Sequence, residues 1–521
     1  IARRLSIAGA WLAGLVFALH PVCVEAVAWI SEQKSTLSAV FYLSALLVYL
    51  HFDRTRRTKF YGLALALCVL ALLSKTITAT LPAALLVIFW WQRGRIAWKR
   101  DALPLVPWFA VGATAGLFTA WVERTYIGAE GADFTLSFLD RVLLAGRVLW
   151  FYFSKLIWPS NLTFHYPRWN VSAAVWWQYL FALGVLVLTG VFVWLARRRR
   201  GPLASLLLFG GTLFPALGFF NVYPFLYSYV ADHFQYLASL AVLVPLSNIL
   251  ASLPRKFVPV SATLVLVTFG VLSWSQCHMY QDSDTLYRET ITRNPSSWLA
   301  QNNLGANLLE NHGLPEEAIP YFQASLRLNP NYSLAHNNLG NAFGRLGRFP
   351  EAVVEYQTSI RLKPEDARTH TNLGNALANL GRLPEAVAEH QTALSLDPRS
   401  PEIRNNLGSA LAQMGRFPEA IGQFEAALEL DPAYYQAHRN LAFALLKMGR
   451  FPEAAAALET VVRLDPDSAE AHFTLGYALA QVPGRLPDAI AEYEAALRIK
   501  PDFEAARINL TNALARMNRQ R

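Results

Sequence analysis

Hydrophobic residues are distributed in two different ways along the chain. Up to residue 276 they form long apolar runs, at about 4–19, 36–51, 60–73, 77–91, 103–121, 175–195, 203–220, 234–250 and 257–276. From residue 296 onward they recur within mixed-charge segments rich in Ala, Leu and Glu. A transmembrane helix needs roughly 20 apolar residues. The pattern therefore predicts an all-α protein, with a polytopic transmembrane bundle of about nine spans followed by a helical repeat region. The short runs 60–73 and 77–91 form a tight hairpin in this interpretation.

Clusters of Lys and Arg separate the apolar runs, at Arg3-Arg4, 53–59, 92–100, 197–200 and Arg255-Lys256. Cytoplasmic loops are enriched in these residues. Placing all five clusters in the cytoplasm predicts an integral membrane protein whose residues from 277 onward lie on the periplasmic or lumenal side. This arrangement requires 138–157 to lie along the outer interface as an amphipathic helix. The alternative is a tenth span, which places 197–200 on the wrong side.

Charge is divided unequally between the two regions. Residues 1–295 contain 25 Lys and Arg against 12 Asp and Glu, whereas residues 296–521 contain 21 against 25. Because the basic residues lie in short clusters between apolar runs, they indicate membrane topology rather than a nucleic-acid surface.

The three cysteines have no metal-binding or redox spacing and are too few for a disulfide framework.

Prolines recur with a period of 34 or 35 residues, at positions 295, 330, 364, 398, 432, 466 and 501. A GR(F/L)PEA motif recurs in step with them at 347–352, 381–386, 415–420 and 449–454. This period is typical of tetratricopeptide (TPR) repeats. The sequence therefore predicts a membrane domain at 1–276, a linker and first helix at 277–295, and a TPR superhelix of six repeats plus a terminal helix at 296–521.

An asparagine precedes the Leu-Gly pair, or its variant, in most repeats, at Asn303, Asn338, Asn372, Asn406, Asn440 and Asn509. Equivalent repeat positions line one face of a superhelix, and amides both donate and accept hydrogen bonds. We expect a ladder that binds the backbone of an extended polypeptide. The alternative is that these amides contact only water. The ladder resembles the one in the TPR region of the nucleocytoplasmic O-GlcNAc transferase, a resemblance confined to the repeats.

Candidate chemistry in the first region lies in HPVCVEAVAWISEQKS (20–35), at the end of the first apolar run. Ionisable groups at the depth of His20 and Glu25 are costly, so they are functional candidates. The alternative is an ordinary helix cap and loop. The sequence lacks the P-loop, GxGxxG, HExxH and GxSxG motifs.

Four ordered motifs carry a family resemblance: HP-x-x-x-E-x-V-x-W from His20, LLSK with a following LP (72–82), KLIWPSNLTFHYP (155–167) and ADHFQYL (231–237). Together with the repeats they resemble the multi-spanning TPR proteins of the GT-C glycosyltransferase superfamily, which include transmembrane O-mannosyltransferases. The resemblance implies transfer of a sugar, typically mannose, from a polyprenyl-phosphate donor in the membrane to Ser or Thr of exported proteins. We predict no metal site and no certain cofactor, and the polyprenyl-phosphate sugar is expected as a substrate.

We expect cations at the outer interface to bind the donor phosphate, with Lys75, Arg141, Arg147, Lys155 and His233 as candidates. A carboxylate base must serve the acceptor hydroxyl, and the catalytic candidates are His20, Glu25 and Asp232.

Two departures from the family pattern bear on this hypothesis. The family's catalytic acidic residues lie in a loop expected upstream of Arg3, so the sequence is expected to be N-terminally incomplete. His233 also stands where the family usually has Arg, and an imidazole is only partly charged at neutral pH.

The alternative function is a non-catalytic, membrane-anchored TPR scaffold for protein assembly.

Overall fold

The computed structural model describes residues 1–2, 5, 7–29, 32–127 and 134–520. All regular secondary structure in these residues is helical. The chain divides into two compact units, Ile1–Leu304 and Gly305–Arg521. The predicted basic cluster at Arg3-Arg4 lies outside the described residues.

The first unit is built from apolar helices joined by short turns. Its α-helices are Ala10–Leu19, Val24–Ala28, Gln33–Thr55, Thr58–Ser74, Leu81–Arg93, Val106–Val122, Phe138–Ile157, Tyr179–Leu195, Gly201–Leu213, Leu240–Ala251, Val258–His278 and Ser283–Arg293. The chain bends at Lys75, whose backbone is extended (φ −160°, ψ 121°).

The prediction of nine membrane spans is wrong. In the described part of the chain, four helices are long and apolar enough to cross a membrane: Gln33–Thr55, Trp98–Ile127, Trp176–Leu195 and Val258–His278. A fifth is possible if the bent pair Ala10–Leu19 and Pro21–Ala28 counts as one span. The other apolar runs are broken by turns into helices of 17 residues or fewer, such as Thr58–Ser74. Counting apolar residues missed these breaks, because a bend changes the path of the chain without changing its hydropathy.

Two hydrophobic clusters organise the first unit. One packs the Gln33–Thr55 and Thr58–Ser74 helices against Leu81–Arg93 and the buried Trp108. The other packs the Phe138–Ile157 helix against the segments around Leu162 and Tyr229. The second cluster fixes the 155–167 and 231–237 motifs beside each other.

The second region consists of paired helices with the expected period. The helices are Trp298–Glu310, Pro315–Leu328, Ser333–Arg345, Phe349–Leu362, Ala367–Asn379, Leu383–Leu396, Pro401–Gln413, Phe417–Leu430, Tyr435–Lys447, Phe451–Leu464, Ala469–Leu479, Leu486–Ile499 and Glu504–Gln520. The glycines of the four GR(F/L)PEA motifs have φ between 72° and 77°. Only glycine adopts this left-handed conformation without steric cost, which explains why the turn carries it.

Close packing within five of the six repeats places a glycine of the first helix against a ring of the second, whereas the repeat at 435–464 has Ala442 at this position. The ring is Tyr356 against Gly340 and Phe424 against Gly408, but it is His390 against Gly374. The His390 side chain is buried, and its Nδ1 has no hydrogen-bond partner among the described residues. Burial lowers the pKa of His390 from 6.5 to about 4, because the charged ring would lose its hydration.

We predict that His390 makes the repeat region sensitive to acid. The unfolded chain takes up a proton below pH 6.5, whereas the folded repeat keeps the ring neutral until about pH 4. The free energy of unfolding is therefore unaffected by His390 above pH 6.5. It falls as the pH drops, by roughly 2 kcal/mol at pH 5. His390→Phe should remove this loss in chemical denaturation of residues 277–521 at pH 7 and pH 5. Phe424→His is the matched control and should increase the acid sensitivity. An unchanged pH dependence in both variants would contradict the prediction.

Candidate functional site

The geometry of the candidate site begins with Glu25 in the short helix Val24–Ala28. Its side chain is buried. The Oε1 atom lies 2.8 Å from Nδ1 of His233, and the backbone N–H of His233 donates to Oε2 at 3.1 Å. A buried carboxylate needs such partners because removing it from water is costly. The contact joins segments 208 residues apart in the sequence.

A second buried carboxylate, Glu32, lies on the other side of His233. It precedes the Gln33–Thr55 helix, and its Oε2 accepts hydrogen bonds from Ser35 Oγ at 2.6 Å and Lys75 Nζ at 3.1 Å. Lys75 Nζ also donates to Ser35 Oγ at 2.6 Å. The Nε2 atom of His233 is 3.9 Å from Glu32 Oε1. We call Glu25, Glu32, Lys75 and His233 the carboxylate cluster.

The pKa values in the cluster follow from burial and charge. Burial alone would raise the pKa of Glu32, but His233, Lys75 and the hydrogen bond from Ser35 lower it to about 2. Burial lowers the pKa of Lys75, and the charge of Glu32 opposes this effect. Glu32 is therefore an ionised carboxylate at neutral pH. A narrow opening beside the cluster is lined by Lys75, His233, Ser35 and Thr78, among others.

Asp232 is a third carboxyl group beside the cluster. It is buried, and its two oxygens lie 3.0 and 3.1 Å from the hydroxyl of Tyr166. Burial and then the charge of Glu25 raise the pKa of Asp232 well above its ordinary value. Asp232 therefore retains a proton more readily than an exposed aspartate. Carboxyl groups in such unequal environments can divide the roles of acid and base.

Three of the predicted phosphate ligands, Arg141, Arg147 and Lys155, lie on the Phe138–Ile157 helix. Lys155 Nζ donates to the carbonyl of Ser160 at 2.5 Å and lies 5.5 Å from the ring centroid of Tyr166. It is therefore beside the hydrogen-bonded pair of Tyr166 and Asp232. The guanidinium of Arg147 lies 4.2 Å from the ring centroid of Trp169. It also lies 5.7 Å from the ring centroid of Trp177 and 5.9 Å from that of Phe181, and it makes no hydrogen bond or ion pair with a described residue.

Arg141, on the same helix, and His20 are held mainly by backbone groups. Arg141 donates to the carbonyl of Gly218 at 2.6 Å and to Asn221 Oδ1 at 2.8 Å, with further bonds to the carbonyls of Phe134 and Leu136. The Nε2 atom of His20 lies 3.0 Å from the carbonyl of Leu156, while its Nδ1 accepts from the N–H of Val22 at 3.4 Å. The structure thus brings Glu25, Lys75 and His233 together, and it engages Arg141 and His20 in holding loops.

Sequence reasoning missed Tyr166, Ser35 and Tyr280 as site residues. Tyr166 lies within the 155–167 motif and Ser35 at the end of the 20–35 motif, but neither is a charged residue that stands out in an apolar region. The hydroxyl of Tyr280 is buried without a hydrogen-bond partner in the described residues. The charges of Glu25 and Asp232 contribute, after burial, to raising its pKa well above the ordinary value. An aromatic residue in an apolar segment looks like core, so only the fold reveals these hydroxyls.

The asparagine ladder is partly used within the repeat region itself. The Nδ2 group of Asn372 donates to Asn337 Oδ1 at 3.1 Å and to Asn341 Oδ1 at 3.0 Å, both in the preceding repeat. Asn440 does the same with Asn405 Oδ1 at 2.9 Å and Ser409 Oγ at 3.2 Å. An amide group has two donor hydrogens, so these two residues have only their oxygens left for a ligand.

The remaining members of the ladder differ from one another. Asn338 is buried, and Asn303 accepts a hydrogen bond from Asn302. Asn406 and Asn509 are partly exposed, and no hydrogen bond from another described residue reaches their amides. The six asparagines therefore differ in burial and in their hydrogen bonds within the repeat region.

Comparison with known proteins supports the two regions to different degrees. Family profiles described as "Tetratricopeptide repeat" match residues 280–333, 321–354 and 440–502, and one described as "TPR repeat" matches 345–381, 374–415 and 408–449. These matches confirm the predicted TPR repeats. "Protein O-mannosyl-transferase F38B6.6" of Caenorhabditis elegans is 27% identical over 341 residues, which cover 62% of this chain and 46% of the relative. The chain thus spans less than half the length of this relative.

Solved structures resemble part of the chain. YrrB, described as a TPR protein with an unusual peptide-binding site, is 25% identical to this chain, with a TM-score of 0.31. The match covers 36% of this chain and 95% of YrrB. PilF of Pseudomonas aeruginosa is 22% identical to this chain, with a TM-score of 0.37. The match covers 43% of this chain and 99% of PilF.

We predict that substituting two asparagines of the ladder changes the free energy of unfolding by different amounts. Asn372→Ala removes two hydrogen bonds between repeats and should lower the free energy of unfolding of residues 277–521 by about 1–3 kcal/mol. Asn406→Ala removes no such bond and should change it by less than about 0.5 kcal/mol. Urea denaturation followed by circular dichroism measures both. Equal destabilisation by the two substitutions would show that the observed bonds do not set the difference.

Proposed function

We propose that this chain forms part of a membrane glycosyltransferase. The donor is a sugar, typically mannose, carried on a polyprenyl phosphate, and the acceptor is a Ser or Thr hydroxyl of an exported polypeptide. The observation that carries the proposal is the carboxylate cluster, which concentrates two carboxylates, an imidazole and a lysine beside an opening. Similarity to the O-mannosyl-transferase of Caenorhabditis elegans supports it.

The cluster can serve the chemistry of sugar transfer. The acceptor oxygen forms a bond to C1 of the sugar, while the bond from C1 to the phosphate oxygen breaks and the phosphate leaves with the electron pair. The acceptor proton must pass to a base. Glu25 holds the Nδ1 side of His233, which orients the imidazole as a carboxylate orients a catalytic histidine in other enzymes. In this proposal the Glu25–His233 pair receives the proton, because the partners of Glu32 that lower its pKa make it a weak base.

Cations near the cluster suit the leaving phosphate. Lys75 lies within the cluster, Lys155 lies beside the Tyr166–Asp232 pair, and Arg147 lies farther along the same helix as Lys155. Charge-assisted hydrogen bonds from Lys and Arg are the usual means of binding phosphate. We assign the donor phosphate to this side of the first unit, with Lys75 and Lys155 nearest the reacting bond.

Exposed apolar surface supports a membrane location. The most apolar stretch of Val258–His278 has no buried residue, and that of Trp176–Leu195 is only 6% buried. Apolar patches of this extent in water would be unfavourable, whereas lipid chains cover them. We place the protein in a membrane, with the cluster and the repeats on the periplasmic or lumenal side.

The repeat region is proposed to hold the acceptor polypeptide. Partly exposed amides at Asn406 and Asn509 can donate to backbone carbonyls, and the oxygens of Asn372 and Asn440 can accept from backbone N–H groups. The second candidate function is a non-catalytic scaffold that uses the same repeats for docking. A scaffold does not need two carboxylates buried beside an imidazole, which costs folding free energy, so the cluster favours the enzyme.

We predict that removing the charge of the cluster abolishes sugar transfer. Glu25→Gln keeps the size of the side chain but removes the carboxylate half of the Glu25–His233 pair, so it should reduce transfer at least 100-fold, the usual contribution of general base catalysis. The measurement is transfer of labelled mannose from polyprenyl-phosphate mannose to a Ser/Thr-rich peptide by the full-length protein in nanodiscs. Glu365→Gln, on the exposed surface of the repeats, is the control and should retain full activity. Normal transfer by a folded Glu25→Gln protein would favour the scaffold.

A further inference from the structure

Three basic segments of the first unit meet at one place, at residues 53–59, 93–100 and 197–200. Arg93 forms ion pairs with both Asp53 and Asp101. The backbone N–H of Ala97 donates to Asp101 Oδ2 at 2.9 Å, which closes the loop after Arg93. These contacts hold the first two segments together. We call the three segments the basic end.

Further contacts complete the arrangement. Arg56 donates to Asp53 Oδ1 at 2.6 Å and to the backbone carbonyl of Arg100 at 3.3 Å. The guanidinium of Arg200 packs directly on Gly94. Gly94 also has φ of +76°, a conformation that favours glycine at this turn.

The charges of the basic end are far from balanced. The three segments and Asp101 contain twelve Lys and Arg residues but only two carboxylates, Asp53 and Asp101. Both aspartates are buried and already paired with Arg93. Several exposed cations form no ion pair with a described residue: Arg57, Lys59, Arg95, Lys99, Arg197, Arg198 and Arg199. Such a concentration of unpaired charge attracts an anionic partner.

Apolar helices end at the basic end. Of the candidate spans, Gln33–Thr55 ends there, Trp98–Ile127 begins there and Trp176–Leu195 ends two residues before it. Exposed aromatic residues flank the cations, with Trp98 and Trp194 each 66% exposed. Tryptophan beside Lys and Arg at the ends of apolar helices is the pattern of a membrane interface.

We propose that the basic end binds the headgroups of anionic phospholipids in the membrane leaflet that surrounds it. The convergence of spans and tryptophans favours a lipid surface over a nucleic acid, which offers nothing for the apolar helix ends to contact. Each cation near an anionic leaflet contributes about 1 kcal/mol, which corresponds to about a fivefold change in affinity. This inference does not depend on the proposed transferase activity.

The test uses the full chain in neutral detergent micelles with fluorescent dioctanoyl phosphatidylglycerol and dioctanoyl phosphatidylcholine as probes. We expect at least tenfold tighter binding of phosphatidylglycerol at low salt, with the preference weakening in 0.5 M salt because surface charge is screened. The triple variant Arg197→Gln/Arg198→Gln/Arg199→Gln should lose the preference at least fivefold.

A matched control removes the same charge from the repeats. Arg382→Gln/Arg416→Gln/Arg450→Gln replaces three exposed arginines, each paired with a glutamate, and should leave the lipid preference unchanged. Equal binding of the two lipids by the wild type, or an unchanged preference in the basic-end variant, would overturn the proposal. Tighter binding of a 20-nucleotide RNA than of phosphatidylglycerol, lost in the same variant, would overturn it in favour of a nucleic-acid surface.

Discussion

The first unit depends on the requirement that each buried carboxyl group find polar partners inside the protein. Glu25 and Glu32 are both buried, and His233 and Lys75 are the groups that compensate them. Because these four residues come from separate segments, their contacts hold the segments around Glu25, Lys75 and His233 together. Replacing one member leaves a buried partner uncompensated, which is more costly than never having buried the pair. The same requirement that shapes the fold therefore concentrates reactive groups in one place, where sugar transfer could use them.

The Gln33–Thr55 helix separates this cluster from the basic end. Glu32 precedes the helix and Asp53 lies near its last turn, so the two groups are about 30 Å apart along its axis. This length matches the hydrocarbon thickness of a bilayer, also about 30 Å. One helix thus separates a carboxylate-rich end from an arginine-rich end. That separation supports the proposal that donor chemistry and anionic lipid binding occur at opposite membrane faces.

The sequence predicted the repeats better than the first unit, and the reason is physical. A TPR repeat is specified by local signals, such as the left-handed glycine at 347 and its equivalents, so the period alone shows the fold. Glu25 and His233 meet across 208 residues, and no local pattern records that contact. Of the predicted phosphate ligands, Lys75 and His233 lie in the cluster, whereas Arg141 is occupied by backbone carbonyls. Its charge was visible in the sequence, but its hydrogen-bond partners were not.

The most direct test of this account is whether the two ends of the first unit face opposite sides of a membrane. Cys277 is the exposed native cysteine, so Cys277→Ser gives a background for labelling. A cysteine introduced at Ser160, whose carbonyl accepts from Lys155 near the cluster, should react with a membrane-impermeant maleimide in intact cells. A cysteine at Arg199, in the basic end, should react only after the membrane is permeabilised. Labelling of both positions in intact cells, or of Arg199→Cys alone, would contradict the account.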